Sequence, residues 1–217
     1  MGMRIHAGSA LFAGATAALA VGLGATTALA ATTLTVKVTN GGKYKATAPA
    51  TVLKDNGASV TCSSTPTTKA STATGSVPTA TTTGTSPVKI GTAATLNFKN
   101  CSGPLGKVTV KVNDLPYAVK VDSKTNSAGQ TDVMITGVNT SVSMTGCSFT
   151  VTGRAPGFYA NSTHKLRMTP QLPITPLNKA RLTISNVTGC SGLVMNGDHP
   201  TFRASYTLSR AAKIRSK

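Results

Sequence analysis

The chain has 217 residues, a formal net charge of +17 and only 4% aromatic residues. Its five acidic residues are all Asp, Glu and Trp are absent, and Thr occurs 37 times. Because Glu is a strong helix former and Thr is β-branched, this composition disfavours a helical protein. The shortage of carboxylates also disfavours most enzymes that work by acid–base chemistry.

Residues 1–30 are typical of a secretory signal peptide. Arg4 supplies a basic start, residues 10–23 form an uncharged apolar run, and Ala28 and Ala30 create a small-x-small cleavage site. We therefore expect cleavage before Ala31 and export of a single β domain, residues 31–217. The apolar run is short and broken by glycines, so we expect no transmembrane anchor after cleavage. The expected location is secreted, either extracellular or associated with the cell envelope.

The predicted mature domain contains four cysteines, which are Cys62, Cys101, Cys147 and Cys190. An even number in an exported protein indicates disulfides, and four cysteines allow three pairings. We favour Cys62–Cys101 with Cys147–Cys190, because the second cysteine of each pair lies in a similar context. This similarity also indicates a weak internal duplication with one bridge per half. The gaps of 39, 46 and 43 residues do not match the closely spaced ligand pairs of a zinc site.

Alternation of apolar and polar residues with a period of two is the dominant pattern along the domain. It occurs at 34–38, 107–112, 117–121 and 202–208, among other places, and Asn- and Gly-containing turn signals lie between such runs. This pattern predicts half-buried antiparallel strands. We therefore expect an all-β fold, either an antiparallel β-sandwich or a β-barrel of about a dozen short strands.

Residues 61–87 form a Thr/Ser-rich segment, with 11 Thr and 5 Ser in 27 positions. A glycosylated, mucin-like stretch is one interpretation of this composition. We favour polar edge strands and loops instead, because the segment lies within the proposed Cys62–Cys101 loop rather than at a terminus.

Two longer motifs surround the second cysteine of each proposed pair. They are FKNCSGPLG at 98–106 and GCSGLVMNGD at 189–198. With the Ala-rich leader and the Thr/Ser/Val strands, the chain resembles small secreted, disulfide-bonded β-proteins of actinobacterial type. The resemblance implies secretion and a disulfide-bonded β fold, and it supplies no catalytic residues.

Candidate catalytic residues are few. The domain has two histidines, His164 and His199, in polar turns, and it contains no Gly-x-Ser-x-Gly nucleophile motif. The Asp residues are scattered, without the Asp-x-Asp pattern of a calcium loop or an evident pair for glycoside hydrolysis. We therefore expect no enzyme activity, cofactor or metal site. A secreted hydrolase that uses His164 or His199 remains an alternative.

The positions of the basic residues are the main indication of function. Eight of them fall at the polar phase of predicted strands and four more lie within the last eight residues; they are Lys37, Lys107, Lys111, Lys120, Lys165, Arg167, Arg181 and Arg203, then Arg210, Lys213, Arg215 and Lys217. If several strands present them on one sheet face, that face suits phosphate- or carboxylate-bearing polymers. The aromatic residues mostly fall at core phase, so sequence-specific nucleic-acid recognition is not expected.

These observations favour a non-catalytic protein that binds an anionic cell-wall polymer or an acidic glycan. One alternative is a self-associating surface subunit that uses Thr-rich edge strands. Another is that the charge only maintains solubility and discourages edge-to-edge pairing.

Overall fold

The computed structural model describes residues 32–174 and 181–217. Within these ranges the protein is built from sixteen β-strands. No helix in the same ranges is long and apolar enough to cross a membrane. The predicted signal peptide lies outside the described residues and stays a prediction.

The strands pair antiparallel throughout, so the prediction of an all-β antiparallel fold is confirmed. In chain order they are β1 (Thr33–Thr39), β2 (Gly42–Ala48), β3 (Ala50–Asp55), β4 (Ala58–Ser63), β5 (Ser71–Val77), β6 (Ala80–Thr85), β7 (Val88–Phe98), β8 (Cys101–Gly103), β9 (Gly106–Val112), β10 (Tyr117–Val121), β11 (Gln130–Met144), β12 (Cys147–Ala160), β13 (Lys165–Met168), β14 (Leu182–Thr188), β15 (Thr201–Leu208) and β16 (Lys213–Ser216).

Thirteen of these strands form one sheet whose pairings close on themselves. A ring runs through β12, β13, β15, β2, β5, β7, β10 and β11 and returns to β12. A second path leaves β15 through β3, β4, β8 and β9 and rejoins at β11. Ala73 of β5 in the first path and Val60 of β4 in the second belong to one hydrophobic cluster, so the inward-facing side chains of both paths share one interior.

The long strand β11 changes partners at a bulge. Residues Val133–Thr136 pair with β10, whereas Thr140–Ser143 pair with β9. The register shifts between Thr136 and Val138, and Gly137 between them has a φ of 80°. Glycine adopts this conformation at no steric cost, so the bend that directs β11 into both rings is placed at this residue.

The other three strands form a small sheet in the order β16-β1-β6. Leu34, Val36 and Val38 of β1 are buried and pack with Ile214 of β16 against residues of the large sheet. Alternation predicted β1, whereas the basic C-terminal residues gave no strand signal. They form β16, which pairs with β1.

Both predicted disulfides are present. Cys62–Cys101 joins β4 to β8, and Cys147–Cys190 joins the start of β12 to the loop after β14. All four cysteines belong to the larger hydrophobic cluster of the interior. Disulfides of this kind are consistent with an oxidising, extracellular environment.

Candidate anion-binding surface

Strand β15 organises a row of cations on the outer face of the closed sheet. Its even-numbered residues, such as Tyr206, point inward, so Thr201, Arg203, Ser205, Thr207 and Ser209 face outward. Each of these five outward positions carries or faces a cation. Lys54 lies opposite Thr201, Arg167 opposite Ser205 and Lys165 opposite Thr207. Lys45 lies opposite Ser209, whose N–H donates to the Lys45 carbonyl at 2.8 Å.

We call this set the β15 stripe: Lys45, Lys54, Lys165, Arg167 and Arg203. Outward positions on one strand are separated by about 7 Å, so the stripe extends over roughly 27 Å. Lys165 is half-buried and the other four side chains are exposed. The stripe is therefore a narrow row of solvent-facing cations on four strands, β2, β3, β13 and β15.

The residues around the β15 stripe do not neutralise it. The register partners within it are Thr201, Ser205, Thr207 and Val52, all uncharged. Among the described residues, Asp114 and Asp122 have hydrogen-bond partners away from the stripe, whereas Asp55 and Asp198 lie near its Lys54 end. Asp114 accepts a hydrogen bond from Asn139 and Asp122 accepts one from Ser86, while Asp55 is buried. A row of like charges whose register partners carry no carboxylate lowers the cost of bringing an anionic ligand to this face.

A second cationic group lies on the small sheet. Lys37 of β1 faces Arg215 of β16 directly, and Lys213 faces Thr39. Lys217 exchanges two backbone hydrogen bonds with Thr35, both at 3.1 Å. We call Lys37, Lys213, Arg215 and Lys217 the β16 cluster; all four are exposed. Like charges directly opposite each other destabilise a strand pair, so this cluster is also placed for an anion.

The remaining predicted cations are dispersed. Lys107 and Lys111 lie on β9, and Lys120 of β10 faces Lys89 of β7. The Arg181 carbonyl accepts a hydrogen bond from the Arg154 N–H at 2.8 Å. Arg210 follows β15 and donates to the Gly41 carbonyl at 3.1 Å. The structure thus brings Lys165, Arg167 and Arg203 together, and it adds Lys45 and Lys54, which the sequence analysis did not select.

Lys45 and Lys54 were missed because their strands carry weak alternation. The inward positions of β2 include Ala46 and Ala48, which are small and do not mark a core face clearly. Lys45 is also 164 residues from Ser209, its partner across the sheet. A run of Lys at alternate positions, such as Lys43 and Lys45, was the one available signal.

A small acidic group lies beside the N-terminal end of β15. Asp55 is buried, and its Oδ2 has no hydrogen-bond partner among the described residues. Burial, followed by a hydrogen bond and charge repulsion from Asp198, raises the pKa of Asp55 to about 6, while nearby His199 opposes the shift. The Asp198 carboxylate in turn accepts the Met195 N–H at 2.7 Å.

Asp55→Asn should stabilise the protein at neutral pH. The folded state binds the Asp55 proton more tightly than the unfolded chain, so wild-type stability should fall as the pH rises from about 4 to about 6 and then level off. We expect the variant to gain roughly 1–3 kcal/mol at pH 7 and nothing at pH 4. Urea unfolding at both pH values measures the difference. An equal stability change at pH 4 and pH 7 would contradict this assignment.

Each of the two histidines, His164 and His199, has its Nδ1 3.5 Å from a hydroxyl oxygen. His199 Nδ1 is 3.1 Å from the Leu182 carbonyl oxygen and 3.5 Å from Thr183 Oγ1. Since the carbonyl can only accept, Nδ1 carries the proton and is not available to receive one from Thr183. His164 Nδ1 is 3.5 Å from the hydroxyl of Tyr159, which donates to the Ala212 carbonyl at 2.7 Å.

Metal ligands do not cluster in the part of the chain that the structure describes: no group of three or more His, Cys, Asp or Glu residues is placed to hold an ion there. Comparison with protein-family models, with curated proteins and with solved structures gives no significant match. The arrangement of charges on the surface is therefore the basis for a functional proposal.

Proposed function

We propose that the protein is a non-catalytic module that binds a linear anionic polymer along the β15 stripe. The observation that carries this proposal is the coincidence of a cation with all five outward positions of the strand and its neighbours. If cations were placed at random on a basic protein, five consecutive outward positions would not all be expected to carry or face one. Their register partners would not all be expected to be uncharged either. The chain has 22 Lys and Arg against 5 Asp, and this positive net charge supplies long-range attraction to the same ligand.

The geometry favours a polymer with regularly spaced phosphates or carboxylates. Successive cations of the β15 stripe are about 7 Å apart along the strand. An extended phosphodiester chain with three-carbon spacers repeats at a similar distance. Arg167 and Arg203 supply planar donors that bind such groups in a bidentate manner, whereas the three lysines act as point charges.

The compartment supports the same type of ligand. Two disulfides fit an oxidising environment, and the predicted signal peptide directs the domain outside the cell. We propose association with the cell envelope, where anionic wall polymers and acidic glycans are exposed. Non-covalent binding through the β15 stripe would retain the released domain there.

Self-association is the second candidate. Strand β6 is at the end of the small sheet and consists of Ala, Thr and Gly, without the Lys or Pro that commonly protect an edge. Its six residues are short and polar, which gives little apolar area for a stable contact. We therefore rank self-association below polymer binding.

Linear polyphosphate and uncharged dextran of similar length provide the test of polymer binding. We expect the protein to bind polyphosphate and not dextran. Five contacts between cations and phosphates should give a slope of about −4 when the logarithm of the affinity is plotted against the logarithm of the salt concentration. Affinity should then fall about 250-fold between roughly 50 and 200 mM salt. Isothermal titration calorimetry measures both quantities. Equal binding to dextran, or an affinity that does not change with salt, would reject the proposal.

A further inference from the structure

The interior of the closed sheet contains a cavity of about 160 Å³. It lies between the two hydrophobic clusters, since Tyr44, Ile135, Leu166 and Leu208 pack against both clusters and also line it. Small inward side chains explain its size, because Ala occupies lining positions on four strands where a larger aliphatic residue would fill space. Apolar cavities of about 150 Å³ take up benzene-sized molecules in other proteins.

The tyrosine hydroxyls of the lining are already engaged in hydrogen bonds. All four tyrosines line the cavity, and each hydroxyl has a partner elsewhere. Tyr44 donates to the Thr92 carbonyl at 3.2 Å, Tyr206 and Ser71 share a 2.7 Å hydrogen bond, and the hydroxyls of Tyr117 and Tyr159 donate to backbone carbonyls. Burial raises the pKa of Tyr44 and of Tyr159 to about 12, so both rings stay neutral. The surface offered to a ligand is therefore hydrocarbon.

Among the described residues, Arg210 is the one charged residue of the lining, and its side chain is exposed to solvent. Its Nη1 donates to the Gly41 carbonyl, which holds the guanidinium over Gly42. A Cβ at Gly42 would lie 3.3 Å from the guanidinium carbon, so glycine permits this close approach. Because Arg210 both lines the cavity and is exposed, its guanidinium lies at the boundary between the cavity and solvent.

We propose that this cavity binds the alkyl chain of an anionic single-chain amphiphile, with the acid headgroup on Arg210. An aliphatic chain matches the apolar lining, and a carboxylate or phosphate matches the guanidinium. This site is separate from the β15 stripe, whose side chains point to the opposite face of the sheet.

Chain length provides the first test, with butyrate, hexanoate, octanoate and decanoate as probes. Each added methylene should raise the affinity about threefold to fourfold until the cavity is filled, after which the gain stops. Decyl phosphate and decanoate should bind with similar affinity if the site recognises only the negative charge. A tenfold or larger difference between the two affinities would show whether the site prefers a phosphate or a carboxylate headgroup. Decyltrimethylammonium, which has the same tail and the opposite charge, should bind at least tenfold more weakly. Affinity independent of chain length, or equal binding of the cationic amphiphile, would overturn the proposal.

Variants locate the site. Arg210→Gln should lose about tenfold in decanoate affinity and leave decanol binding unchanged. Ala93→Leu should reduce both, because Ala93 is buried in the lining, whereas Ala94→Leu on the exposed side of the same strand should reduce neither. Circular dichroism shows whether Ala93→Leu folds, and Arg210→Gln stands as the test if it does not. A loss of decanoate binding on removing Lys45, Arg167 and Arg203 would place the ligand on the β15 stripe and refute the cavity site.

Discussion

Replacing Lys45, Arg167 and Arg203 by Ser should weaken binding to linear polyphosphate about a hundredfold at low salt. Each cation near an anionic surface contributes about 1 kcal/mol, so three together contribute about 3 kcal/mol. A difference of this size corresponds to about two factors of ten in affinity. The three side chains are exposed, so their removal should leave the fold intact. Isothermal titration calorimetry at constant salt measures the loss.

The β16 cluster offers a matched control for this variant. Replacing Lys37, Lys213 and Arg215 by Ser removes the same net charge from a different sheet. Long-range attraction falls equally in both variants, whereas direct contacts are lost only where the polymer lies. We expect the control to lose affinity only severalfold. Equal losses in the two variants would mean that net charge, and not the β15 stripe, determines binding.

Removing the Cys62–Cys101 disulfide should produce the largest loss of stability. The bridge closes a loop of 39 residues, for which chain entropy gives about 3–4 kcal/mol. It also joins strands that otherwise pair weakly, because β8 has three residues and only Thr61–Ser102 and Cys62–Cys101 are paired between β4 and β8. Without it, the second closed path through the sheet depends on these few backbone hydrogen bonds.

The double variant Cys62→Ala/Cys101→Ala should therefore melt about 10 °C below the wild type. Thermal unfolding followed by circular dichroism measures the shift. The double variant Cys147→Ala/Cys190→Ala is the control, since it opens a loop of similar length, 43 residues, at a different place. A decrease of less than about 2 °C for Cys62→Ala/Cys101→Ala would show that packing alone holds β4 and β8 together.

The alternating strands and the disulfide pairing could be predicted from the sequence for clear physical reasons. Residues 107–112, 117–121 and 202–208 place Val, Tyr or Phe inward and polar residues outward, and all three are strands. Strand β5 belongs to the segment expected to form polar edge strands and loops, but it lies between β2 and β7 in the large sheet. Its inward residues include Ser71, Ala73 and Gly75, so the sequence carried no hydrophobic alternation that would indicate a central position. Strand β6 consists almost entirely of Thr, and its exposure pattern reflects its position at the edge of the small sheet.

The candidate site was harder to predict because it depends on which strands are neighbours. Alternation identified Lys165, Arg167 and Arg203 as outward-facing, but it carried no information on strand order. Lys54 and Arg203 are near neighbours only because β3 pairs with β15 across about 150 residues of sequence. The same limit applies to the cavity, since its lining is collected from strands throughout the domain.

The most direct measurement of the central claim is a backbone and side-chain NMR titration of the wild-type protein with linear polyphosphate. The account predicts that chemical-shift changes concentrate on the β15 stripe and on the Ser and Thr residues between its cations, with smaller changes on the β16 cluster. Changes distributed evenly over all exposed Lys and Arg residues, or concentrated on the β16 cluster, would contradict it.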